Sequence, residues 1–213
     1  MFCPKTGIVL ITFLLPLNTM RRIRLNIYNC YMMIKDYYVT AHTTVLVVKY
    51  NITQRLWPDH CVINSTSADI SSKLTRSSND IIIKKGYNCK VDSYSAFYDN
   101  GKFTHTELDG ILKSSKIDTV FVVGLAEDYC VYYTSVDAKE LGYETYMVED
   151  ASRGVSLDTT RDALANMRKK GVQIIQSSEI GKFLTSPTDG TSIIQHTKIN
   201  VILTLMVFVY LFL

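Results

Sequence analysis

The sequence predicts an α/β fold in one domain, with a parallel sheet of five to six strands flanked by helices on both faces. Three observations carry this. Between Asp80 and Glu179, short β-branched runs alternate with stretches of helical periodicity. The run Asp118–Leu125 (DTVFVVGL) is apolar on both faces, as a central parallel strand covered from above and below should be. Gly142 and Gly171 stand where two of the helices would close. Repetition of strand, helix and strand at this spacing implies right-handed crossovers.

The elements follow in order. Gly7–Leu17 (GIVLITFLLPL) is a short apolar run behind Lys5 and ahead of Arg21, Arg22 and Arg24. It has the length of a signal-peptide core without a small-x-small cleavage site, and reads equally as a first buried strand. Asp80–Lys85 (DIIIKK) is a strand bounded by Gly86. His105–Lys116 places Leu108, Ile111 and Leu112 at helical spacing, with Thr104 or Thr106 as N-cap. After Asp118–Leu125 comes a helix over Asp128–Leu141, then a strand over Tyr143–Glu149. Asp158 or Thr159 opens a further helix that turns Leu164 and Met167 inward, and Val172–Gln176 is the next strand.

The far end is different in kind. Thr185–Lys198 is polar and contains Pro187 and Gly190, and Ile199–Leu213 (INVILTLMVFVYLFL) has no charge. Nothing polar alternates along it to make a wet helix face, so it reads as a membrane-spanning or lipid-anchor segment. The expected organisation is a divergent segment over 1–50, an α/β domain over 51–182, a polar linker over 183–198 and an apolar tail over 199–213. The expected location is a membrane, reached through this tail, with the rest of the chain cytoplasmic. Asn51 (NIT) and Asn64 (NST) form glycosylation sequons, which matter only on a secretory route.

Bulk composition excludes some partners. Lys and Arg number 23 against 20 Asp and Glu, interspersed along most of the chain, so there is no basic stripe for nucleic acid. The five cysteines (Cys3, Cys30, Cys61, Cys89 and Cys130) are widely spaced with no CxxC pair. That argues against a disulfide scaffold or a thiolate zinc site and directs attention to a single reactive thiol.

A sheet of this kind holds its active site at the carboxyl ends of its strands. Two segments end there, Lys84–Lys85–Gly86 and Gly124–Leu125–Ala126–Glu127–Asp128–Tyr129–Cys130. Cys130 falls in the first turn of the following helix, where free N–H groups and the helix dipole would lower its thiol pKa and hold a developing oxyanion. The competing reading of Cys130 is a buried structural cysteine.

Several long blocks, covering about Thr53–Ile180, resemble the nicotinamidase-like amidohydrolases of the isochorismatase-like family. They are QRLWPDHCV (Gln54–Val62), IIKKG followed by VDSYSAF (Val91–Phe97), VVGLAEDYCV (Val122–Val131), AKELGYE (Ala138–Glu144) and VEDASRGV (Val148–Val155). The resemblance implies that Cys130 attacks the carboxamide carbon of nicotinamide, giving a thioester that water hydrolyses to nicotinate, as in NAD salvage. It implies that Lys85 orients the thiol and stabilises its charge. The Leu125–Ala126 bond is similar to the family's cis bond, and the Ala126 and Cys130 N–H groups to its oxyanion hole. Trp57 matches an aromatic that stacks on the pyridine ring, with Tyr129 lining the same pocket. His60 matches a ligand of a divalent metal, zinc by expectation, and His42 in TAHT (Thr40–Thr43) is the counterpart of a second.

The departures are also specific. The family's first strand ends in an Asp that acts as general base; if Thr6–Leu17 is that strand, the slot falls near Thr12, which cannot accept the proton. Thr40 stands where the metal block has an Asp. These departures leave a different-class alternative beside the hydrolase: an inactive, membrane-associated binding protein.

Overall fold

The computed structural model describes residues 7–13, 40–42, 53–55, 57, 60–62, 64–72, 74, 80–88, 91–184 and 204–210. In chain order the strands are β1 (Gly7–Phe13), β2 (Thr40–His42), β3 (Thr53–Arg55), β4 (Ile81–Lys85), β5 (Thr119–Leu125), β6 (Glu144–Arg153), β7 (Gln173–Ile175) and β8 (Thr204–Tyr210). The α-helices are α1 (Leu108–Ser114), α2 (Tyr132–Glu140), α3 (Leu157–Lys169) and α4 (Ile180–Leu184). One sheet runs β4-β1-β8-β5-β6-β7, and β2 pairs with β3 apart from it.

The parallel centre follows from β5. Its residues alternate between two cores: Val120 and Val122 join Ile83, Met147 and Met167 on one face, while Phe121 and Val123 join Tyr146, Val148 and Ile175 on the other. A strand with large apolar side chains on both sides stays dry only with cover above and below. Leu108 and Leu112 of α1, Val136 and Ala138 of α2 and Met167 of α3 cover the first face. Ile180 and Phe183, from α4, cover the second. Helices therefore lie on both faces, in unequal number.

Local signals explain most boundaries. The N-cap of α1 is Glu107, not the expected Thr104 or Thr106; Thr106, one residue earlier, supports the turn, its Oγ1 accepting from the Leu108 amide at 3.1 Å and donating to the Ala96 carbonyl at 2.7 Å. The α3 cap is Ser156, ahead of the expected Asp158 or Thr159, because its hydroxyl reaches the Thr159 amide at 3.3 Å. Gly142 and Gly171 end α2 and α3 at φ +94 and +85, conformations that a side chain would strain. β6 outruns its expected end because of a bulge. The Val122–Met147 pair is followed by Gly124–Ser152, and the Ser152 hydroxyl closes the bulge by accepting from the Gly124 amide (3.2 Å) and donating to the Val148 carbonyl (2.9 Å).

Two expectations are corrected at the apolar ends. The sheet is mixed, since β1 runs antiparallel to both β4 and β8, while β5 pairs parallel with β6 and β8. A run of consecutive apolar residues marks a buried strand without revealing its direction. The expected membrane tail is also overturned: Thr204–Tyr210 lies in the sheet between β1 and β5, and among the described residues no helix is long and apolar enough to cross a membrane. An uncharged apolar run can satisfy its backbone groups in a buried sheet as well as in a membrane-spanning helix, and composition does not separate the two. Of the two readings of the N-terminal run, Gly7–Phe13 takes that of the strand.

Packing this dense makes a clear prediction. Phe121→Ala, at a fully buried position that stacks on Tyr146 at 5.0 Å, should cost about 3–5 kcal/mol in urea unfolding. Leu157→Ala, 91% exposed, should change stability by less than about 0.5 kcal/mol.

Candidate active site

The two strand ends meet. Lys85, the last residue of β4, is buried to 2% exposure, and its Nζ stands 3.5 Å from the Sγ of Cys130, itself fully buried. The same ammonium donates to the Ser93 carbonyl. Among the described residues no carboxylate forms an ion pair with Lys85.

The turn carrying Cys130 is wound differently from the expected helix. Glu127–Val131 is a π-helical turn ahead of α2, closed by the Val131 amide donating to the Ala126 carbonyl at 3.1 Å. Such turns recur at functional sites because the wider ring re-aims one side chain. The Leu125–Ala126 peptide that enters it is cis, and the Ala126 backbone bears on the Cys130 sulfur in the sense that favours a thiolate. Asp128 ties the turn to α3, accepting from the Val155 amide at 3.0 Å, the Ser156 amide at 3.4 Å and the Thr159 hydroxyl.

The thiol departs from expectation. Burial pushes Cys130 up from its ordinary value; the Lys85 ammonium pulls it down, the Asp92 carboxylate pushes it up, and the Ala126 amide assists the thiolate. The net direction is upward. Complete removal from water outweighs one ammonium and one amide, so the thiol, not the thiolate, is the resting form.

An aromatic wall adjoins the pair. Trp57 packs edge-on against Tyr129 at 4.8 Å, Tyr94 meets Tyr129 at 5.5 Å, and the Trp57 indole donates to the Tyr94 hydroxyl at 2.9 Å. Burial drives the Tyr94 hydroxyl far above the usual range, so it stays a neutral hydrogen-bonding group. The Arg55 guanidinium lies over Trp57 at 5.1 Å and Tyr129 at 5.4 Å. A cavity of about 700 Å³ shares Lys85 and Ser93 with this site and continues past Asp99 and His105, without touching Cys130 or Trp57.

The structure thus brings together Lys85, Cys130, Ala126, Trp57 and Tyr129. His60 is buried in the loop after Trp57. His42 lies on β2 opposite Thr53, with its side chain outside the described residues. Among the described residues no three His, Cys, Asp or Glu side chains gather to hold a metal ion. One buried imidazole is not by itself a divalent-metal site, and the described donors do not fit one.

Thr12 fails as the base slot for a further reason. The antiparallel register sets Gly7 opposite Lys85 and Ile11 opposite Ile81, so Thr12 lies past the far end of β4. At about 3.4 Å per residue that is roughly 17 Å from the lysine along the strand. Sequence reasoning also passed over Asp92, Ser93 and Tyr94 as site residues. They stand in the quoted block Val91–Phe97, and a polar run between two strand ends was the available signal.

An isochorismatase-domain model matches residues 26–179, and the chain belongs to the isochorismatase family. It is 44% identical over 116 residues to the nicotinamidase of Escherichia coli (strain K12), a match that covers 54% of each chain. It therefore spans about half the length of that curated relative. Among solved structures, an Acinetobacter baumanii nicotinamidase superposes with a TM-score of 0.61 at 37% identity, covering 68% of either chain. A Pyrococcus horikoshii pyrazinamidase, determined in complex with zinc, superposes at 0.51 with 31% identity over 57% of this chain and 64% of its own.

The lysine–cysteine contact is testable without turnover. Lys85→Met keeps the volume and removes the ammonium, so the thiol should rise further. Iodoacetamide labelling of Cys130 at pH 8, followed by peptide mass spectrometry, should slow roughly tenfold, one pKa unit's worth.

Proposed function

We propose that this chain is a cysteine amidohydrolase acting on a heteroaromatic carboxamide, nicotinamide in the first instance, with nicotinate and ammonia as products in NAD salvage. The observation that carries the reading is the buried Lys85 Nζ at 3.5 Å from the Cys130 Sγ, on a turn whose first amide already faces the sulfur. The relatives' nicotinamidase activity supports the substrate class. The working domain in this reading is the hydrolase unit over 51–182, built on a five- to six-stranded sheet.

The chemistry follows from those groups. The Cys130 thiol gives up its proton as the sulfur attacks the carboxamide carbon, with Lys85 holding the developing thiolate. The Ala126 and Cys130 amides receive the carbonyl oxygen as it becomes negative. The carbon–nitrogen bond breaks and ammonia leaves with the proton; water then cleaves the thioester and restores the thiol. Trp57 and Tyr129 present ring faces and edges to a flat substrate.

Proton transfer needs an acceptor. Thr12 lies too far along its strand, and Asp36 and Asp59 fall outside the described residues. Among the described acids, Asp92 is the one whose charge bears on the Cys130 sulfur, and this reading gives it the proton. These steps use the chain's own residues alone; of the two histidines that the family resemblance offers a metal, only His60 has a described side chain.

Ammonia release from nicotinamide by the purified chain tests the reading. Turnover should vanish in Cys130→Ser and fall at least about 100-fold in Asp92→Asn. No release from a folded chain would remove the amidase reading, and an unchanged Asp92→Asn would remove that residue from it.

A further inference from the structure

The turn that carries the nucleophile holds a carboxyl group that the chemistry above does not use. Glu127 follows the cis peptide directly, three residues before Cys130, and is 3% exposed. Its Oε1 is buried and accepts no hydrogen bond. A buried acceptor left this way is costly when neutral and much more so when charged. The charged groups that bear on it are Glu149, which sits in the β6 bulge, its own neighbour Asp128 and, in the opposite sense, Arg153 at the exposed end of β6. Burial first, then the two acids, push the Glu127 carboxyl up to about 7 against the pull of Arg153. Meanwhile the backbone on either side is committed: the Ala126 amide faces the Cys130 sulfur, and the Glu127 carbonyl accepts from the Tyr132 amide.

We propose that Glu127 is a positioning residue whose carboxyl group must be protonated for the Ala126–Val131 turn to hold its arrangement around the Cys130 sulfur. Once ionised, the side chain has no donor at its buried Oε1 and two like charges beside it. It relieves this by swinging toward Arg153 and solvent, and it draws the turn with it. The oxyanion amide and the nucleophile then lose their registration as pH rises through neutrality.

The sign is fixed by linkage. A carboxyl whose folded pKa lies above its unfolded one costs no stability below the unfolded value, near 4.5, and the penalty grows until the folded value, near 7, beyond which it is constant. The unfolding temperature of Glu127→Gln minus that of the parent should therefore rise between about pH 4.5 and 7 and then level off.

The decisive readout is local. In hydrogen exchange of the full chain, corrected for intrinsic rates, the peptide over 126–131 should lose protection several-fold between pH 5.5 and 8 in the parent, while α3 does not. Glu127→Gln should abolish that loss. Glu149→Gln, which removes a like charge and leaves the turn sequence intact, should reduce it. Uniform protection in the parent across that range, or an equal loss in Glu127→Gln, would overturn the proposal. Only the catalytic consequence rests on the amidase reading: if turnover is found, Glu127→Gln should extend its activity to higher pH. The exchange result stands whether or not ammonia is released, so the two readings fail separately.

Discussion

The arrangement depends on keeping a lysine ammonium out of water beside a thiol. Burying an ammonium is unfavourable by several kcal/mol unless donors and acceptors are placed for it. Here the acceptors are the Ser93 carbonyl and the Cys130 sulfur. The first requires the segment after β4 to turn back on itself, and its own hydrogen bonds show how. Asn100 closes it from both sides, donating from its amide to the Asp92 carbonyl and accepting from the Tyr94 amide. Asp99 gathers the amides of Gly101, Phe103 and Thr104. The second requires the π-turn, which Asp128 fastens to the start of α3. Loop, turn and helix are thus coupled through one buried cation.

That coupling explains why the centre of the fold could be read from sequence and its rim could not. β5 announces itself because Val120, Phe121, Val122 and Val123 are all large and apolar, and the two cores take them alternately. α1 and α3 were legible from Leu108, Leu112 and Met167 at helical spacing. The apolar ends carried the same composition without a direction. Their strand character and the antiparallel pairing of β1 depend on neighbours far away in sequence, which periodicity does not encode. The tail misread as a membrane segment is the same ambiguity: an uncharged, mostly apolar run has the same composition in a buried strand as in a membrane segment.

The site was legible in part. Lys85, Cys130, Ala126, Trp57 and Tyr129 stood in contiguous blocks, and the structure gathers them. The direction of the thiol's shift was not legible, because it depends on how completely the sulfur is enclosed. A helix N-terminus and a nearby lysine argue for a thiolate in the abstract; full burial reverses the balance. Glu127 was equally hidden. In sequence it is an ordinary acid beside another acid, and its orphaned oxygen appears only once the β6 bulge brings Glu149 alongside. The two histidines expected to hold a metal divide the same way, with His60 placed and the side chain of His42 outside the described residues.

The central claim is that Cys130, held by Lys85, adds to a carbonyl presented against the Ala126 amide. Nicotinaldehyde replaces the leaving nitrogen with hydrogen, so addition of the thiol across its carbonyl stops at a tetrahedral thiohemiacetal with nothing to expel. With the carbonyl carbon labelled with carbon-13, NMR of the folded chain should show a new sp³ carbon resonance, weaker in Lys85→Met and missing in Cys130→Ser. A folded parent chain that leaves the aldehyde resonance unchanged at saturating ligand would contradict the claim.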